Sequence, residues 1–160
     1  PAPKVELQLG PVVRWPIRDS GLNNVWQQLQ SAAGLAEQGY KSPQIGKTVD
    51  EHALTVGDRV YKDGIGTHAP SALVYQLPEN ADSLHVGYGI DDEANGGDVI
   101  FRIRVDGNIV WSSGPVQSGK GAGFIAVPVR GAKTVALETD TDGPDANDHA
   151  DWLSPVVTRK

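Results

Sequence analysis

Two neighbouring stretches alternate apolar and polar residues without a break: Leu84, Val86, Tyr88 and Ile90, then Val99, Phe101, Ile103 and Val105. A period of two places each of these sets on one face of an extended strand, whereas a helix would scatter them around its axis. Asp106-Gly107 then supplies a hairpin turn into Ile109–Trp111. Shorter runs of the same kind are Ala53–Val56, Leu73–Leu77, Phe124–Val129, Thr134–Thr139 and Leu153–Thr158, and Pro128 predicts an edge or bulge. Val5, Leu7 and Leu9 add a half-buried first strand. Short strands separated by turn residues predict an all-β chain, a sandwich or jelly roll rather than βαβ units.

One segment breaks the pattern. Leu22, Val25, Trp26, Leu29, Ala32, Ala33 and Ala36 recur at helical spacing after Asp19 or Ser20 as caps, predicting one helix over about 21–37 closed by Gly39. The expected organisation is a single domain over 1–160 with an N-terminal helical insertion at about 19–38. A chain of 160 residues encloses a core without staples, and the absence of cysteine removes disulfides and thiolate chemistry. The formal charge of -6, with acidic residues bunched from Asp140 to Asp151, argues against nucleic acid or an anionic membrane as partner. No segment approaches the eighteen apolar residues that membrane insertion requires. The opening PAPK reads either as a cut edge of a longer chain or as a mature terminus left after a signal is removed.

Two polar segments stand out, YKDGIGTHAPS at Tyr61–Ser71 and DHADW at Asp148–Trp152. His68, after a Gly64 and Gly66 turn, either bonds a ligand hydroxyl through its two ring nitrogens or ties strand ends together through His149 or Asp148. In DHADW, carboxylates suit pairs of sugar hydroxyls and a Trp face suits the C–H side of a pyranose, so Asp148, His149, Asp151 and Trp152 are candidate contacts. Trp152 is equally a core anchor. Along a strand, His149 and Asp151 share one side, opposite Asp148 and Ala150. Trp111, with Arg102 and Arg104 on the preceding strand, is a further candidate or an ordinary sheet position. Asp91, Asp92 and Glu93, with Asp98 or with Asp140, Asp142 and Asp145, offer hard oxygens; Asp91, Asp92 and Asp142 are the candidate calcium ligands, and a solvated acidic turn is the alternative.

These segments, in the order YKDGIGTHAPSALVYQLP, VGYGIDDE, GDVIFRIRVDGNIVWSSG, VPVRGAKTVALETD and DHADW, resemble the NPCBM family of carbohydrate-binding domains over about 53–157. The resemblance implies a galactose-binding-like jelly roll that binds galactose or related terminal sugars in loops at one end. It also implies attachment to a glycoside hydrolase, a structural calcium ion in some members, and a secreted, periplasmic or cell-surface location. The stretch from Pro11 to Val49 departs from the family's aspartate-rich opening, which bears on ligand specificity. No GxSxG, HExxH, P-loop or dinucleotide fingerprint is present, so the expectation is not an enzyme, glycan hydrolysis included. Non-catalytic glycan binding leads. A structural sandwich supporting a neighbouring domain or protein partner is the alternative.

Overall fold

The computed structural model describes residues 12–14, 43–77, 79, 81–143 and 147–159. The expected strand at Val5–Leu9 and the expected helix over 21–37 lie outside the described residues. Twelve strands follow in order: β1 (Val12–Arg14), β2 (Gln44–Ile45), β3 (Leu54–Val56), β4 (Arg59–Tyr61), β5 (Gly64–His68), β6 (Ser71–Gln76), β7 (Ala81–Ile90), β8 (Asp98–Val105), β9 (Asn108–Gln117), β10 (Gly123–Pro128), β11 (Thr134–Thr141) and β12 (His149–Arg159).

They form two facing antiparallel sheets and a small hairpin, a jelly-roll sandwich. The first sheet runs β10-β7-β12-β5-β2, with β1 also pairing β12; the second runs β6-β11-β8-β9; β3 and β4 pair with each other. β10 is an edge strand, which is what Pro128 requires. Between the sheets lies one core. The alternation of β7 and β8 sends Leu84, Val86 and Ile90 inward from one side and Val99, Phe101 and Ile103 from the other, with Ile65, Leu73, Leu137 and Trp152 filling the layer. Trp152 meets Phe101 edge to face at 5.2 Å.

The outer face of the first sheet is also covered. Leu54 and Val56 of the β3–β4 hairpin pack on Leu153, with Tyr61 and Ala122 at the margin. Close approach there depends on glycine: a Cβ at Gly66 would run into the backbone of Lys47 and Thr48, and one at Gly89 would stand 2.6 Å from Val56 Cγ1. Gly66 and Gly89 flank Asp151 on its two neighbouring strands. Their missing side chains let the segment from Lys47 to Val56 lie directly over that carboxylate. Gly64 and Gly66 therefore belong to a buried strand, β5, and do not form the turn that their composition predicts.

Candidate functional site

The alternation in DHADW sorts its residues as the strand reading requires. Ala150 and Trp152 enter the core, while His149, Asp151 and Leu153 face outward under the hairpin and its approach. His149 pairs directly with His68 across β12 and β5, and the two rings meet at 5.3 Å. The ends of these strands, the Thr48–His52 turn and the residues after β7 meet at one end of the sandwich.

Each of those segments is fixed by a small polar clamp. Buried Thr48 accepts hydrogen bonds at Oγ1 from the amides of His52 at 3.1 Å and Asp50 at 3.3 Å, shaping a tight turn that presents both side chains. After β7, Asp91 accepts from the Thr55 amide at 2.8 Å and the Glu93 amide at 3.0 Å. Asp92 accepts from the amides of Gly57 at 2.9 Å and Asp58 at 2.7 Å. Asp91 and Asp92 thus hold the β3–β4 hairpin to the end of β7, and Glu93 is left to turn toward the histidines.

Glu93 is the hub of the cluster. Its Oε1 takes a hydrogen bond from His149 Nδ1 at 2.9 Å and its Oε2 one from His52 Nδ1 at 2.5 Å. Asp50 Oδ2 stands 4.0 Å from the same His149 nitrogen. Burial pushes the Glu93 carboxyl up, but bonds from His149, His52 and Thr48 outweigh it and hold the group below its usual value. The bond to Glu93 and its charge raise His52 in turn. His52 is exposed, whereas His149 and Glu93 are mostly covered. The arrangement is an ionised carboxylate between two imidazoles at the rim of a sheet, exposed chiefly through His52.

The other candidates fall in different places. His68 is nearly buried, with Nδ1 donating to the Ala69 carbonyl at 2.8 Å. Asp148 is fully buried; its Oδ1 accepts from the Asp98 amide at 2.8 Å and its carbonyl from the Ala69 amide, bolting the start of β12 to β8 and β5. Asp151 is buried beneath the Lys47–Val56 segment, and Trp152 is in the core at 0% exposure, with no face toward solvent. Trp111 packs against Tyr88 at 4.9 Å on the margin of the core. Arg102 and Arg104 lie on the opposite face of their sheet, paired with Asp140 at 3.1 Å and Glu138 at 2.7 Å.

Of the three acids expected to hold calcium, Asp91 and Asp92 follow β7 and Asp142 follows β11. Both oxygens of Asp91 and of Asp92 are engaged by backbone amides, and the Asp142 amide joins the Asp98 carbonyl on the β8–β11 side. Among the described residues, the set of His, Asp and Glu whose ligand atoms all lie within 4.8 Å of one another is Asp50, Glu93 and His149. Asp50 and His52 carry no local sequence signal, since VDEHA has no pattern that marks a site. Glu93 is visible in the sequence only as one acid among three.

The NPCBM/NEW2 domain family matches residues 24–158. The chain belongs to that family. Among solved NPCBM-like structures, the CBM51 module of Clostridium perfringens GH95 in complex with methyl-galactose is 26% identical with a TM-score of 0.71, covering 76% of this chain and 91% of that one. The CBM51-2 module with INT domains of Clostridium perfringens ZmpB, in complex with GlcNAc, is 27% identical with a TM-score of 0.68, covering 76% of this chain and 28% of that one. Among curated proteins, Alpha-1,3-galactosidase B of Akkermansia muciniphila is 35% identical over 69% of this chain. The NPCBM chain spans 14% of that relative's length and 7% of another's. Its likeness is to binding modules and not to a catalytic fold: it is a non-catalytic carbohydrate-binding module.

Beneath the cluster, Asp151 makes a separate point about stability. Among the described residues neither of its buried oxygens has a donor, and the Asp91 carboxylate lies beside it. Burial first, then Asp91, raise its pKa well above the ordinary 3.8, favouring a proton shared with Asp91. A raised folded value means that this group's stability contribution is full below pH 3.8 and is lost as pH rises through the folded pKa. Asp151→Asn keeps the shape and donates permanently to Asp91. Thermal melts in chelator should therefore show the variant a few degrees more stable than wild type near pH 7, with the gap closing below about pH 4. A gap independent of pH would refute the shared proton.

Proposed function

We propose that this module binds a terminal galactose-type pyranose at the His52–Glu93–His149 cluster and delivers an attached glycoside hydrolase to glycans outside the cytoplasm. The observation that carries the reading is Glu93, held between two imidazoles at the sandwich end. An ionised carboxylate accepts from two adjacent sugar hydroxyls, and the flanking imidazoles donate to or accept from their oxygens. The pair O3 and axial O4 of a galactose-type ring presents such neighbours on one edge.

Two facts about relatives support the ligand class: a similar solved module holds methyl-galactose, and a curated relative is an α-1,3-galactosidase. The small share of that relative's length covered by this chain supports a role as one module of a larger enzyme. A single shallow site gives weak affinity, and tethering makes it useful. Calorimetric titration in chelator with methyl-galactoside should give one site with a dissociation constant on the order of tens of micromolar to millimolar. A glycan array with no response to any terminal galactoside would sink the ligand class. The protein would then be read as a supporting sandwich for a neighbouring domain.

A further inference from the structure

Asp50, Glu93 and His149 also meet the demands of a different ligand, and the inference stands whether or not sugar binds beside them. One oxygen of each carboxylate and His149 Nδ1 lie within 4.8 Å of one another. A tetrahedral ion with bonds of about 2.0–2.2 Å separates neighbouring ligand atoms by roughly 3.3 Å. The distances from His149 Nδ1 to Glu93 Oε1, 2.9 Å, and to Asp50 Oδ2, 4.0 Å, fall on either side of that spacing. Side-chain rotation of well under an ångström in each would equalise them.

The surroundings favour a cation. Asp50 and Glu93 bring two carboxylates to His149 Nδ1, and a dication between them relieves their mutual repulsion. The outer partners needed to hold the ligands are in place as well. His52 Nδ1 bonds the Glu93 oxygen that faces away from His149, and Thr48 fixes the turn that carries Asp50.

We propose that Asp50, Glu93 and His149 form a binding site for a divalent transition metal of the zinc class, with water completing the coordination. One imidazole and two carboxylates suit a borderline ion better than calcium, which takes six to eight oxygens. On binding, neutral His149 gives Nδ1 to the metal and carries its ring proton on Nε2, and Glu93 exchanges one imidazole hydrogen bond for a metal bond.

The test is a calorimetric titration of chelator-treated protein with zinc chloride, without glycan, with calcium chloride in parallel. The expected result is one zinc per chain, calcium binding at least tenfold weaker, and at least a tenfold loss of zinc affinity in both Asp50→Asn and His149→Gln. Asp50 is half-buried on a turn held by backbone amides on Thr48, so its variant is expected to keep the fold. Should His149→Gln fail to fold, histidine ring resonances of the wild type decide instead: zinc should shift those of His149 and leave those of His85 in place. No zinc binding, undiminished affinity in Asp50→Asn, or unmoved His149 resonances would each overturn the site. Sugar titration in chelator is a separate measurement, so either reading can fail while the other stands.

Discussion

Trp152→Ala should cost about 3–5 kcal/mol of folding stability, a large share of the roughly 5–15 kcal/mol that holds a domain of this size together. Among the described residues, Trp152 is the largest fully buried side chain, seated between the sheets with its ring edge on Phe101. Deleting the indole removes its buried apolar surface and leaves a cavity that rigid strands on both sides cannot close. Among the described residues the indole Nε1 has no hydrogen-bond partner, so Trp152→Phe loses volume but no polar contact and should cost distinctly less. Urea unfolding of the two variants checks the order. A folded Trp152→Ala variant within 1 kcal/mol of wild type that had lost glycan binding would mean that the indole serves a ligand, the role its place in DHADW also permits.

What the sequence showed of this protein divides along a physical line. Strict alternation in β7 and β8 fixes which face is buried, because a one-residue slip would expose Leu84 and Phe101 together. The same period of two puts His149 and Asp151 on one side of β12, opposite Ala150, and leaves Trp152 as either contact or core anchor. β5 was harder to see, since Gly64 and Gly66 look like turn residues in one dimension. Their reason for being glycine is the Lys47–Val56 segment passing over them, a contact absent from any local window. The site shows the same limit. His68, His149 and Glu93 lie in segments that composition marks, but Asp50 and His52 reach them only through the Thr48 turn and the hairpin clamps of Asp91 and Asp92. Those two acids look like metal ligands in sequence because a backbone clamp and a metal ligand use the same side chain. The clamp itself shows only once the Thr55, Gly57 and Asp58 amides are in place.

Glu93→Gln should weaken galactoside binding by about 10- to 100-fold while leaving the melting temperature within a few degrees of wild type. The amide retains the shape but replaces one acceptor oxygen by a donor and removes the charge. Hydrogen bonds to a charged group contribute about 1.5–3 kcal/mol, and each 1.4 kcal/mol is tenfold in affinity. The fold survives because Glu93 is tied to the structure through its amide, which donates to Asp91, and not through its carboxylate alone. Arg104→Ala is the matched control, since Arg104 is occupied by Glu138 on the other sheet and should leave binding unchanged. The pH profile gives an independent reading of the same group. With its carboxyl held below 4.5, wild-type binding should persist to pH 4.5 and fall only in more acid solution, and the Gln variant should lack that acid limb. If Glu93→Gln binds galactoside as wild type does, the carboxylate does not contact the sugar. The site would then have to be sought along the Trp111 margin, where Trp111→Ala would be the next variant to titrate.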